Sequence, residues 1–480
     1  MKGEELFGVA MTQPYKELPR LFWEEVLPTA VSQPELCLFN EEVASQFGWS
    51  VERLSSDEGV AFLAGNQFPS EVVPYAQAYM GHQFGHLTML GDGRAIVVGD
   101  VATADGPVEL QWKGSGRTPF SRGGDGRGAL HPMMREYVLS EAMHHLGVPT
   151  ASVLATVSTG EPVVRETYLP GGVNMRVAKS HLRVGTFEYA FHYGSPEDIR
   201  ALADFAIRRM DEDLVDTPDR YAVWLDRVVR RQAHLVTEWQ RVGFIHGVMN
   251  TDNTAISGET IDYGPAAFMD IYSMDRVYSS IDRQGRYRFG NQPGIAAWNL
   301  ARLAEVLVPI LAETKEEAIE RAQSIVGNFI HYFEASWLRM MREKCGLVGE
   351  EEGDESLVKA LLQMMETHER DYTNTFRALT LGAFDDPFFG TRKFRAWKLR
   401  WDERRSGREE EGNRLMKRAN PMVIPRNQYV DEAIDDFMRG DETLLHLYLD
   451  VLKRPYEVNK EQERFLVPDR DEPYVAFCGT

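Results

Sequence analysis

His246-Gly247-Val248-Met249-Asn250-Thr251-Asp252-Asn253, followed nine positions later by Asp262-Tyr263-Gly264, is the stretch on which the reading of this 480-residue chain turns. Asn253 and Asp262 offer the hard oxygen donors that a small divalent cation takes when it is shared with phosphate oxygens. Asp252 adds a carboxylate directly beside the first of them. Val248, by contrast, can neither accept a proton nor orient a hydroxyl.

These offsets match protein kinases, which hold ATP-bound metal with the asparagine of an H-R-D-x-x-x-x-N loop and the aspartate of D-F-G. Asn253 lies seven residues after His246, and the place of the kinase's proton-accepting aspartate falls on Val248. The pattern predicts a nucleotide and metal site whose usual base is missing. The upstream parts come in kinase order. Val108 to Lys113 alternates like a strand and ends on Lys113, the expected phosphate-binding lysine. A helix from about Met133 to Leu146, opened by Pro132 and closed by Gly147, carries Glu136 as its carboxylate partner, with Glu141 competing. Gly91-Asp92-Gly93-Arg94, Gly114-Ser115-Gly116 and the run Gly123 to Gly128 supply glycines that let backbone amides approach phosphate. Asp-Gly also favours a hairpin turn, and none of the three matches a Walker P-loop or a Rossmann fingerprint.

The chain is 43% apolar, enough for a large core divided among two or three domains. Its net charge of −20 disfavours nucleic acid as a partner, so nucleotide binding must rely on a locally basic pocket. Without an apolar signal core, transit-peptide character or a run near 18 apolar residues, the expectation is a cytoplasmic protein with no membrane partner. The expected fold is α+β, a protein-kinase-like bilobal arrangement. Residues 1–70 form an N-terminal extension, 71–185 a β-rich small lobe, 186–330 a helical large lobe with the catalytic loop, and 331–480 a helical C-terminal region. Helices are predicted over 40–47, 198–210, 220–242, 297–311 and 357–376, and the acidic stretches 349–355 and 409–411 read as solvated loops. His82 and His86 stand four apart but are flanked by Gly81 and Gly85, which argues for a structural role and against zinc. His144 and His145 suit a helix end.

With these residues in view, the chain resembles the selenoprotein O family of kinase-like protein adenylyltransferases. The resemblance is carried by Tyr79-Met80-Gly81-His82-Gln83-Phe84-Gly85, Leu90 to Arg94, Lys113-Gly114 with Thr118-Pro119-Phe120-Ser121-Arg122, Met175 to Ala178, His181-Leu182-Arg183, the 246–253 loop and Leu300 to Leu303. It implies transfer of AMP from ATP, with Mg²⁺ or Mn²⁺, onto Ser, Thr or Tyr hydroxyls of protein substrates. It also implies a nucleotide turned end for end relative to kinases, contacted by Gly91, Gly93, Arg94, Lys113, Asp125, Gly126, Arg176 and Arg183. Asn253 and Asp262 would hold the metal, with Asp262 also near the nucleotide, and Asp252 would be the proton acceptor. From the residues alone Asp252 is either that base or an orienter beside a metal ligand. Guanidinium forks at Arg176 and Arg183 suit the charge of departing pyrophosphate, although their spacing fits one helical face as well as two ends of a loop. Alternatives within the same site are UMP transfer with Mn²⁺ and a nucleotide-binding pseudokinase scaffold. Of the three cysteines, Cys37, Cys345 and Cys478, the last sits where the family places a redox residue. No partner cysteine appears at Arg276-Val277-Tyr278-Ser279, so Cys478 reads as an unreactive thiol.

Overall fold

Alternation dominates the first third of the chain, and it builds one sheet. In the computed structural model, which describes residues 10–467 and 474–476, nine antiparallel strands join. Their main order is Trp23–Glu25, Tyr75–Gln77, Ala95–Thr103, Gly106–Lys113, Tyr168–Ala178, Ser152–Val164 and Glu35–Phe39. Strands from before and after residue 70 therefore share a single sheet, because Trp23–Glu25 pairs with Tyr75–Gln77 and Glu35–Phe39 pairs with Ser152–Val164.

The period of two divides the central strands cleanly. Leu110 and Trp112 point into an apolar layer with Ile96, Leu154, Val173 and Phe62. Glu109, Gln111 and Lys113 face the other way, opposite Ala178, Arg176 and Asn174 respectively. That polar face is covered by the helix Leu130–His145, whose Met134, Tyr137 and Val138 are buried. The helix begins three residues earlier than expected. Pro132 falls in its first turn, where a backbone N–H has no intrahelical partner to lose.

The rest is helical. Arg220–Val242 buries Trp224, Leu225, Val228, Leu235 and Val236, and packs against Gln292–Leu311 and Lys315–Lys344. The segment Phe289–Leu311 is long and apolar enough to cross a membrane, but Ile295, Leu300, Leu303 and Leu307 sit in the protein core. A second core gathers Met341, Leu361, Trp397 and Trp401 from the C-terminal helices around Tyr272.

Three sequence expectations change here. The helix over 357–376 is two helices, Asp354–Thr367 and Tyr372–Leu381. Asp371 breaks them by capping the second through Asn374 N at 2.7 Å. The acidic stretch 349–355 is not all solvated, since Asp354 is buried against Arg342 and Arg404 at 2.9 and 2.8 Å. Glu409–Glu411 open the helix Glu409–Ala419 and do not form a loop, which puts carboxylates at the positive end of the helix dipole.

Arg426, fully buried, binds Asp270 and Asp371 at once, tying the chain after the catalytic loop to the C-terminal helices. Removing one member of such a buried set leaves the others uncompensated. Arg426→Ala is expected to cost about 3–5 kcal/mol of stability, read as a lowered midpoint in chemical denaturation.

Candidate active site

Lys113 ends the strand Gly106–Lys113 on the polar face of the sheet, and its Nζ lies 2.5 Å from both Glu136 Oε2 and Asp262 Oδ1. Arg176 enters the same cluster from the neighbouring strand, with Nη2 2.7 Å from Glu136 Oε1 and 3.5 Å from Asp262 Oδ1. Two cations and two carboxylates thus share one largely buried site. Burial pushes the Asp262 carboxyl up, but Lys113, Arg176 and Arg94 outweigh it and hold the group well below the usual carboxylate range. Burial lowers Lys113, and Asp262 and Glu136 oppose that shift. Glu141, the competing partner, is engaged elsewhere: Asn40 Nδ2 donates to it at 2.5 Å and His145 Nε2 lies 3.2 Å away.

Asp262 adopts φ +63°, left-handed backbone that a residue with a side chain rarely takes. The preceding residue is pinned, because buried His246 donates from Nε2 to the Ile261 carbonyl at 3.0 Å. Burial lowers the His246 pKa, which suits a neutral ring in that role. The histidine of the motif is therefore linked to its aspartate through the carbonyl of the residue between them, Ile261.

Thr251–Asn253 forms a single tight turn. Asn253 Nδ2 donates to the Val248 carbonyl at 3.0 Å, which turns its amide oxygen away from that carbonyl. Val248 contributes its backbone where a kinase uses a carboxylate. The Asp252 side chain is partly buried, with Oδ1 unpaired among the described residues. Burial raises its carboxyl to about 7, with Arg183 opposing. Gly81 makes room for it, since a Cβ there would stand 2.1 Å from Asp252 Oδ1, while a Cβ on nearby Gly185 would run into the Met80 carbonyl.

The two arginines do not share a helical face, and the loop alternative is the nearer one, with Arg176 two residues from the end of its strand, before the loop, and Arg183 at the loop's end. Arg176 is on a strand, and Arg183 precedes the helix Val184–Tyr193. Arg183 Nη1 lies 3.4 Å from Asp92 Oδ1, and its guanidinium covers the Tyr79 ring at 4.2 Å. Asp92 is buried and accepts from Gln77 N at 3.0 Å and Gln111 Nε2 at 3.2 Å, so the Gly-Asp-Gly-Arg stretch is an anchor as well as a turn. Gly91 has φ +76°, and a Cβ there would meet the Phe120 ring at 2.4 Å. Gly93 lies under the same segment, since Ser121 Oγ donates to its carbonyl at 2.5 Å.

Arg94, Lys113, His131, Arg135, Glu136 and Gly264 line a cavity of about 260 Å³ beside the cluster. Asp125 and Gly126 stand further out. Asp125 is exposed and accepts from Arg165 Nη1 and Arg127 N, both at 2.9 Å, while Gly126 packs on the Gly116 carbonyl. Tyr474 and Val475 also line the cavity, and the next residue, Ala476, donates from N to the Tyr278 carbonyl at 2.8 Å. Cys478 lies outside the described residues. Sequence reasoning missed Asp92, Tyr79, Gly81 and Gly185 as site residues. All four stood inside or beside quoted motifs, but their roles depend on contacts between segments distant in the chain.

Residues 5–452 match the family model described as protein adenylyltransferase SelO. The chain belongs to the SelO family. A relative from Geobacillus kaustophilus named protein nucleotidyltransferase YdiU is 52% identical over 474 residues, covering 97% of this chain and 98% of the relative. A relative of the same name from Shouchella clausii gives the same identity and coverage. One from Bacillus mycoides, also so named, is 49% identical over the full length of both. The lysine cluster and the 246–262 loop of this SelO-family chain both fall within the matched span.

Glu136→Gln removes one of the two carboxylates that orient Lys113 and Arg176. A lost charged hydrogen bond of this kind is expected to weaken ATP binding by about tenfold or more in calorimetry, whereas Glu141→Gln leaves it within about twofold.

Proposed function

We propose that this nucleotidyltransferase moves AMP from ATP onto Ser, Thr or Tyr hydroxyls of protein substrates, on a protein-kinase-like bilobal scaffold. The observation that carries the reading is the pairing of Val248 with Asp252. The kinase base position holds an apolar side chain, while a carboxylate raised to about 7 stands beside Asn253. A group titrating near the working pH is suited to accept a proton.

In this reading residues 71–185 bind the nucleotide through Gly91, Gly93, Arg94, Lys113, Asp125, Gly126, Arg176 and Arg183. Residues 186–330 supply the catalytic loop, 331–480 brace it, and 1–70 extend the small lobe. Asn253 and Asp262 present oxygen donors only, which suits Mg²⁺ or Mn²⁺, and the orientation of the Asn253 amide fits that use. When bound, such a cation neutralises phosphate charge. The acceptor hydroxyl oxygen bonds to the α-phosphorus, its proton passes to Asp252, and the bond to the β-phosphate bridge breaks. Pyrophosphate leaves with the electron pair, its charge met by Lys113, Arg94 and the guanidinium forks of Arg176 and Arg183. General-base action contributes only ~10²–10⁴-fold, so positioning and charge stabilisation supply most of the acceleration.

ATP labelled at the α- or γ-phosphorus separates the possible outcomes. Transfer of α-label to protein is expected. Transfer of γ-label would mean a kinase, and transfer of neither would leave a nucleotide-binding scaffold. The same assay with UTP and Mn²⁺ reads UMP transfer. Asp262→Ala should abolish transfer and weaken metal-dependent nucleotide binding. Asp252→Ala should lower α-label transfer by about 10²-fold or more with nucleotide affinity nearly unchanged in calorimetry. Val248→Asp should not create γ-label transfer, because the pocket around Lys113, Arg176 and Arg183 sets the nucleotide's orientation.

A further inference from the structure

The strands Met80–Gln83 and His86–Met89 form a hairpin separate from the main sheet, and a two-stranded hairpin alone is only marginally stable in water. What orders this one is the catalytic loop. His82 N donates to Thr251 Oγ1 at 2.6 Å, Thr251 Oγ1 donates to Glu188 Oε2 at 2.6 Å, and Glu188 Oε1 lies 2.5 Å from His82 Nδ1. These contacts close a ring through the hairpin, the helix Val184–Tyr193 and the loop. Thr251 is fully buried, and its neighbour Asp252 rests on Gly81 of the same hairpin.

A second set of contacts grips the adjacent residue. The hairpin turn is Phe84-Gly85, with φ +50° and +86°, a geometry that favours Asn-Gly and strains a bulky aromatic. The Phe84 amide donates to Asn250 Oδ1 and to Tyr287 OH, each at 3.2 Å, and Tyr287 OH donates to Asn250 Oδ1 at 2.6 Å. The Phe84 ring packs on Tyr287 with centroids 5.0 Å apart. Strained backbone held by surrounding contacts is a mark of functional placement. Tyr287 belongs to the segment that follows Asp262, so one turn touches both sides of the site.

We propose that this hairpin is the positioning element of the catalytic loop. Glu188 and Thr251 are positioning residues that set the height of the Asp252 carboxylate, and Tyr287 couples that height to the segment after Asp262. The inference rests on the reading of Asp252 as the proton acceptor. None of the three is among the residues assigned above to the nucleotide, the metal or proton acceptance. Their effect is on the rate of the chemical step, where a misplacement of about 1 Å costs as much as 10²-fold.

The test compares Thr251→Val, Glu188→Gln and Tyr287→Phe with Thr251→Ser and the control Leu87→Thr, an exposed hairpin position outside the ring. The readouts are kcat and KM for α-label transfer, ATP affinity by calorimetry, and hydrogen exchange of residues 248–254 with ATP and Mn²⁺ present. The first three variants should lose about 10- to 10²-fold in kcat with ATP affinity within about twofold, and exchange in 248–254 should quicken. Thr251→Ser should recover most of the rate, and Leu87→Thr should match the unaltered protein. An unchanged kcat in Thr251→Val would overturn the proposal, as would equal losses in Thr251→Val and Thr251→Ser. Absence of α-label transfer by the unaltered protein would defeat the AMP-transfer reading instead. The exchange rates would then decide the clamp alone, with unchanged exchange counting against it.

Discussion

The contact of Lys113 with two carboxylates is the constraint on which the rest of the site depends. Glu136 comes from the helix on the sheet and Asp262 from the loop after the catalytic turn, so a single ammonium joins three separately built segments. Burying such charges is costly, and a buried ion cluster is weak evidence of stability. Its value here is geometric. Lys113 and Arg176 can both be paired only when helix, sheet and loop stand in one relation, and that relation fixes Asp262 against the sheet. On the proposed function, a bound nucleotide would take over part of the cation charge now held by the carboxylates, which is how such a cluster would be preorganised for phosphate.

The catalytic loop is held with equal care but by different means. His246 reaches Ile261, Asn299 Nδ2 donates to the Met249 carbonyl at 3.0 Å, and Asn253 turns back onto Val248. These three contacts use neutral groups, and the Glu188 carboxylate adds a further hold through Thr251. Asp252 then sits in a space cleared by Gly81, desolvated enough to raise its carboxyl and with Oδ1 unpaired among the described residues.

Much of this was legible in the sequence because it is local or rests on spacing. The alternation Val108 to Lys113 gave the strand and the side on which the lysine lies, and the 246–262 spacing gave the loop. The helix offered Glu136 with Glu141 competing, and what separates them is contact with Lys113 for the first and with Asn40, far away in the chain, for the second. The same limit applies to Arg176 and Arg183. Seven residues separate them in a strand and a helix start, an arrangement that no single period describes. Asp92 looked like turn chemistry, since nothing in Gly-Asp-Gly-Arg announces a guanidinium 91 positions later. Gly81 and Gly185 were invisible for a related reason: what a glycine makes room for is written in another segment.

The central claim is that a kinase-like site has exchanged its loop aspartate for Val248 and given proton acceptance to Asp252, and with it has turned to AMP transfer. Mass spectrometry of an acceptor protein after incubation with ATP and Mn²⁺, run beside pyrophosphate release, tests this most directly. The account predicts one AMP on a Ser, Thr or Tyr for each pyrophosphate released, and loss of both in Asp252→Ala. A phosphoryl group on the acceptor with ADP released, or undiminished modification in Asp252→Ala, would contradict it.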